Sequence, residues 1–179
     1  MSKIGKRPIL IPEGVAVEMT DKKISAIFDG KKYDLLLPES VTVVKTDNKL
    51  QVSAGDLSKD NKPFLGLYAR LIQNLLIGAK ENFTRELIFT GTGYRASIEN
   101  DTLVLFMGYS HDIRLPIPSD LACVIKKNTI IISGAEKRSV GSFASIIRDV
   151  RPPEVYKGKG IKYKEEIIKR KAGKRAATT

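Results

Sequence analysis

Two stretches of this chain are one pattern written twice: LLLPESVTVVKTDNKLQVSA at residues 35–54 and LPIPSDLACVIKKNTIIISG at residues 115–134. They align at a constant offset of 80, with identity at Leu35/Leu115, Pro38/Pro118, Val44/Val124, Asn48/Asn128 and Ser53/Ser133. Each copy reads as strand, proline turn, strand, asparagine turn, strand. Val41, Val43, Leu50 and Val52 alternate with mostly polar neighbours, the period of two that marks a half-buried sheet. A second pair follows at an offset of 75: GLYARLIQNL from Gly66 to Leu75 and GSFASIIRDV from Gly141 to Val150. Leu67, Tyr68, Leu71, Ile72 and Leu75 recur at helical spacing, as do Val140, Phe143, Ile147 and Val150, so each set predicts one apolar helix face packed on a sheet.

Working outward, Val15–Met19 and Ile24–Phe28 predict a hairpin in the first half. Glu86–Thr90, Tyr94–Ile98 and Leu103–Met107 predict further strands in the second, with a turn at Asn100-Asp101. Gly78 is expected to end the first helix. The fold class is therefore α+β: two tandem similar domains, each an antiparallel sheet packed against one helix, with a basic C-terminal tail. The expected domains are residues 1–82 and 83–179, the tail being 151–179.

Charge separates the two copies. The chain carries a formal net charge of +11. Ten Lys/Arg against three acids, Glu154, Glu165 and Glu166, lie between Arg151 and Arg175, so +7 sits in 25 residues. A pI near 9.7 points to a polyanionic partner. No apolar run approaches the roughly 20 residues of a membrane span, and Pro152, Pro153, Gly158 and Gly160 break any amphipathic membrane helix in the tail. The N-terminus has early positive charge without a continuous apolar stretch after it, so no signal peptide is expected. The single cysteine, Cys123, excludes an internal disulfide and a thiolate cluster, and reads as a small buried strand residue.

No enzyme emerges. Gly91-Thr92-Gly93-Tyr94-Arg95-Ala96 fits a loose dinucleotide fingerprint, but that fingerprint works only where a strand turns into a helix. Tyr94 to Ile98 alternates like a strand, so the glycines are expected to serve a sharp bend or close packing. Ser110-His111-Asp112 holds the only histidine; neighbours on a strand face opposite ways and do not build a triad. The segment around His111 reads first as a polar surface loop and second as an RNA contact. No catalytic residue, metal site, cofactor or small-molecule substrate is expected.

The tail remains. Pro152-Pro153 stops the second helix and holds the chain extended. Gly158 and Gly160 are expected to let backbone approach phosphates closely. Arg151, Lys157, Lys159 and Lys162 supply charge at phosphate-like spacing, and Tyr156 and Tyr163 are expected to stack on bases or riboses. Glu165/Lys169 and Glu166/Arg170 are i,i+4 pairs that predict a short helix. Without a DNA-reading motif, an irregular tail suits folded RNA.

Pro153-Glu154-Val155-Tyr156-Lys157-Gly158-Lys159-Gly160-Ile161 closely resembles the signature of the bacterial-type L-six family of large-subunit ribosomal proteins. Ser2 to Ile9, Gly91 to Ala96, Gly108 to His111, Glu136 to Gly141 and Lys171 to Lys174 resemble further segments of that family. The resemblance implies two similar domains and a non-catalytic scaffold in the cytoplasmic ribosome. It implies binding to 23S rRNA mainly through the C-terminal domain, near the stalk base and the sarcin–ricin loop. It also implies neighbouring ribosomal proteins as partners, with no membrane and no homo-oligomer. The residues expected at RNA are Arg151, Tyr156, Lys157, Gly158, Lys159, Gly160, Lys162, Tyr163, Lys169, Arg170, Lys171, Lys174, Arg175, Lys137, Arg138, Arg95 and His111. The alternative is a regulatory RNA-binding protein outside the ribosome.

Overall fold

The computed structural model describes residues 7–20, 22–54 and 62–173. The chain divides into two compact units, Met1–Asn82 and Phe83–Thr179. The first holds β1 (Ile9–Leu10), β2 (Ala16–Thr20), β3 (Lys23–Phe28), β4 (Lys31–Leu36), β5 (Val41–Thr46), β6 (Lys49–Ala54) and α1 (Lys62–Lys80). The second holds β7 (Phe83–Thr90), β8 (Arg95–Glu99), β9 (Thr102–Phe106), β10 (Ile113–Pro116), β11 (Leu121–Lys126), β12 (Thr129–Gly134), α2 (Lys137–Val150) and β13 (Gly160–Tyr163). The α+β class and the repeated sheet-and-helix plan are as the sequence reads. The strands of each unit divide between two antiparallel sheets, β1-β6-β5 and β2-β3-β4 in the first, β11-β12-β7-β13 and β10-β9-β8 in the second.

The repeat is visible at the level of single bonds. The Pro38 and Pro118 carbonyls accept from Val41 N and Leu121 N at 3.1 and 3.0 Å. Asn48 and Asn128, identical in the two copies, offer their carbonyls to Ile11 N and Phe89 N, both at 3.0 Å. Ile9 pairs with Leu50 and Leu10 with Lys49; in the second unit Leu87 pairs with Ile130 and Ile88 with Thr129. β1 is thus the counterpart of β7. Positive φ at Asn100 (45°) and Asp101 (57°) gives the tight β8–β9 hairpin its left-handed turn.

Each unit has its own core. Ile24, Leu50, Ile72 and Leu76 are fully enclosed in the first; Leu87, Leu103, Leu105, Ile130, Ile132, Ile147 and Ile161 are in the second. Each such side chain contributes roughly 1.5–3 kcal/mol relative to exposure.

Two helix expectations need correction. α1 runs through Gly78, which is buried inside the helix, to Lys80. Its buried line is Ala69, Ile72, Leu76 and Ala79, while Leu67 is 51% exposed. α1 carries apolar residues on most of its circumference, so spacing alone did not fix which stripe faces the sheet. In α2 the buried residues are Val140, Phe143, Ala144 and Ile147, with polar residues on the other side. No helix among the described residues is long and apolar enough to cross a membrane.

Candidate nucleic-acid interface

The segment after α2 is a folded part of its unit rather than an appendage. Arg151 leaves the helix at φ −148° and ψ 85°, and Pro152-Pro153 prevents its continuation. The chain then makes a loop closed by its own backbone. Glu154 N donates to Lys159 O at 2.8 Å, Gly158 N to Glu154 O at 3.0 Å, and Ile161 N to Arg151 O at 2.7 Å. β13 follows as an edge strand on β7, pairing Ile161 with Phe89 and Tyr163 with Leu87. This places Ile161 at 0% exposure in the core and leaves Tyr163 half-buried against it.

These contacts change the reading of several expected RNA residues. At Gly160 (φ 135°) a Cβ would lie 2.6 Å from Pro152 O and 2.7 Å from Pro153 Cα, so the missing side chain is used for packing within the chain. A Cβ on Gly158 (φ 71°) would meet the Arg170 guanidinium at 3.0 Å, and the Gly158 carbonyl accepts from Thr90 Oγ1 at 3.0 Å. Tyr163 lies beneath the Arg148 guanidinium, 5.9 Å from its ring centroid. Lys162 is half-buried, its Nζ donating to Glu166 O at 3.4 Å.

The short helix expected from Glu165 to Lys171 is absent. Residues 164–165 turn and 166–173 run without regular structure. Glu166 instead reaches back to α2, accepting from Arg148 Nε at 2.9 Å and Nη2 at 2.6 Å, and from Tyr163 N at 3.2 Å. A two-pronged, charge-assisted pair outweighs the few tenths of a kcal/mol of an i,i+4 helix contact. The Arg148 hydrogen bond holds the Glu166 carboxyl below its ordinary range, and Glu166 raises Arg148 in turn. Lys171 N then donates to Val155 O at 3.0 Å, laying this strand of chain beside the loop.

What faces outward is a basic and aromatic surface. Tyr156, Lys157, Lys159, Lys169, Arg170 and Lys171 are all exposed. Lys159 Nζ donates to Thr92 Oγ1 at 3.2 Å, joining the β7–β8 turn to the loop. Arg151 sits over the Tyr109 ring at 5.0 Å, and Tyr109 stacks against His111 at 6.4 Å with planes 29° apart. The Tyr109 hydroxyl donates to Val150 O at 2.9 Å, occupying a carbonyl of the last helical turn. The adjoining Tyr109 hydroxyl raises the Arg151 guanidinium further above its ordinary value. Arg95 lies over Phe106 at 5.7 Å. Such cation–aromatic pairs hold flat, charged faces toward solvent.

The structure thus brings Arg151, His111, Lys159 and their neighbours together at the C-terminal end of α2. Lys137 and Arg138, both exposed, stand at its other end, about 20 Å away for a helix of 14 residues. Lys174 and Arg175 lie outside the described residues. Sequence reasoning missed Tyr94, Tyr109, Arg148 and Glu166 as individual contributors. Tyr94 and Tyr109 stood inside the glycine motifs already singled out, whereas the Arg148–Glu166 pair left no spacing signal. Those motifs also lose their chemical readings: a Cβ on Gly91 would meet the Tyr94 ring at 2.5 Å and Gly93 has φ 76°. Strand follows strand there, and Asp112 is held by Arg114 Nε at 2.7 Å rather than by His111. Among the described residues, no group of three or more His, Cys, Asp or Glu is placed to hold a metal ion.

Comparison with known proteins places this geometry. Residues 90–164, from the end of β7 to just past β13, match the family model described as Ribosomal protein L6. A Protochlamydia amoebophila protein named Large ribosomal subunit protein uL6 is 44% identical over 178 residues, covering 99% of each chain. The protein of the same name from Helicobacter hepaticus is 41% identical over 176 residues, covering 97% of this chain and 98% of its own. Likeness at this level along the whole length of both proteins, together with the family match over the loop-bearing unit, shows that the chain belongs to the ribosomal protein L6 (uL6) family.

Proposed function

We propose that this chain is a structural, non-catalytic component of the large ribosomal subunit. It binds 23S rRNA mainly through the Phe83–Thr179 unit, near the stalk base and the sarcin–ricin loop, beside neighbouring ribosomal proteins in the cytoplasm. The observation that carries this reading is the loop after α2. Its backbone is fixed by its own hydrogen bonds, while Tyr156, Lys157, Lys159, Arg170 and Lys171 project outward from it. A pre-shaped cationic surface loses little entropy on binding and suits a folded RNA of matching contour. Backbone phosphates supply affinity, and the exposed rings supply stacking on splayed bases.

With about six phosphate contacts, log K against log salt should fall with a slope of about −4 to −5. Changing Lys157, Lys159 and Arg170 together to Ala should flatten that slope by about 2 while leaving the melting curve in place. An unchanged slope overturns the assignment of those three side chains. Chemical footprinting of large-subunit RNA should show protections around the sarcin–ricin loop, and protections elsewhere reject that location. The protein should sediment with large subunits through a moderate salt wash, whereas a free regulator would be released.

A further inference from the structure

β1 and β7 are counterparts, but among the described residues only β7 has a strand on its far side. In the second unit the chain turns back after α2 at Arg151-Pro152-Pro153 and lays β13 on β7, packed against α2. In the first unit α1 continues to Lys80 and the chain passes on into β7 at Phe83, without the turn back that follows α2. Where β13 would lie, the structure has a cavity of about 300 Å³ between β1 and α1, lined by residues that include Arg7, Leu10, Ala69, Arg70, Leu76 and Ile77.

The edge presents the groups that a strand needs. Ile11 N–H bonds to Asn48 O on the β6 side, so the N–H and C=O of Leu10 face away from β6. The matching groups of Ile88 face β13, where Ile88 pairs with Lys162. Pro8 keeps the carbonyl whose counterpart, Glu86 O, accepts from Lys164 N at 3.0 Å. The floor under α1 is apolar, formed by Ile9, Ala69, Leu76 and the solvent-open Ile77, while the exposed Leu10 side chain lies on the opposite face of the sheet. The charged residues lining the groove are Arg7 and Arg70, with no acid among them. In the second unit the clasp that holds β13 is Glu166 on Arg148. Its counterpart on α1 is Gln73, to which Arg70 Nη1 donates at 3.0 Å, so the first unit's cationic partner for a carboxylate is Arg70.

We propose that this groove is a vacant strand slot that takes an extended segment of a partner protein, with alternating aliphatic residues and acidic side chains, as an added strand antiparallel to β1. Main-chain bonds to Leu10 fix register, an aliphatic side chain fills the gap beneath α1, and carboxylates meet Arg70 and Arg7. Pro8 and Pro12 flank β1 and limit the docked stretch to a few residues, which guards the edge against unspecific pairing.

The test uses the full chain and two fluorescein-labelled decapeptides. One copies residues 158–167, Gly-Lys-Gly-Ile-Lys-Tyr-Lys-Glu-Glu-Ile. The other is its acidic form, Gly-Ser-Gly-Ile-Thr-Tyr-Glu-Glu-Glu-Ile. Anisotropy should show saturable binding of the acidic peptide, with the basic one at least about tenfold weaker. Leu10→Pro, which removes the outward N–H, and Arg70→Glu should each weaken the acidic peptide about tenfold with unchanged circular dichroism. Arg70→Glu should also reverse the preference between peptides. No saturable binding, equal binding of the two peptides, or indifference to both substitutions overturns the proposal. Self-association abolished by Leu10→Pro would assign the slot to a second copy. A tenfold gain in peptide affinity on deleting residues 1–6 would assign it to this chain's own N-terminus. Either result also overturns the proposal. RNA binding is measured separately, so failure here leaves the rRNA reading standing.

Discussion

Gly160 shows how a glycine in a basic loop can serve the chain's own packing. Its type and place in the tail are legible in the sequence, but the contour it serves is internal: a Cβ would press on Pro152 O at 2.6 Å. Gly160→Ala should therefore lower stability by about 2–4 kcal/mol in urea denaturation, before any RNA is added. Gly173, with open space at its Cβ, should tolerate the same change. Glu166 makes a second residue-scale case. Its folded pKa is depressed by Arg148, so its contribution is present above the unfolded value, about 4.3, and disappears as pH falls through the folded one. Glu166→Gln should cost about 1–3 kcal/mol near neutral pH, and the gap from the parent chain should close in acid. Burial pushes the Cys123 thiol up to about 11. Alkylation at pH 8 should thus run roughly 100-fold slower than for a free cysteine, and unfolding should restore it.

At the scale of elements, the composition of the C-terminal stretch suggested a cationic tail, while the structure makes part of it a sheet strand. GIKY is too short to announce a strand on its own, and its partner β7 lies some seventy residues upstream. That long-range pairing is what local periodicity does not encode. The consequence is practical. Removing everything after Val150 takes Ile161 out of the core and the Arg148–Glu166 clasp with it. The truncated chain should lose the cooperative melting of the second unit, seen as missing near-ultraviolet circular dichroism. Substitution of exposed side chains is the cleaner probe of binding. The two helices make a similar contrast. α2 has a clear apolar stripe because Ser142, Ser145 and Asp149 break its other faces. α1 lacks such punctuation, and its buried line begins and ends at small residues, Ala69 and Ala79, that a hydrophobic count undervalues.

For the whole molecule, the duplicated pattern was the most informative feature, because Pro38/Pro118 and Asn48/Asn128 mark turns whose backbone bonds recur in both copies. Divergence lies where the copies stop matching: one helix ends at Val150 and the chain turns back after Arg151, while the other helix runs on to Lys80. We expect residues 83–179 expressed alone to fold and to keep most RNA affinity, and residues 1–82 to bind RNA at least about tenfold more weakly at equal salt. Gel shift of the two fragments measures this directly. The placement of β13 also sets an order of events during translation. The first unit is complete once Asn82 has been made, but the second waits for Ile161 to join Phe89. At about 5–20 residues per second, that interval lasts several seconds. The basic loop acquires its final contour only once Ile161 has been made and has paired with Phe89, so a shorter nascent polypeptide presents no finished surface to nearby RNA.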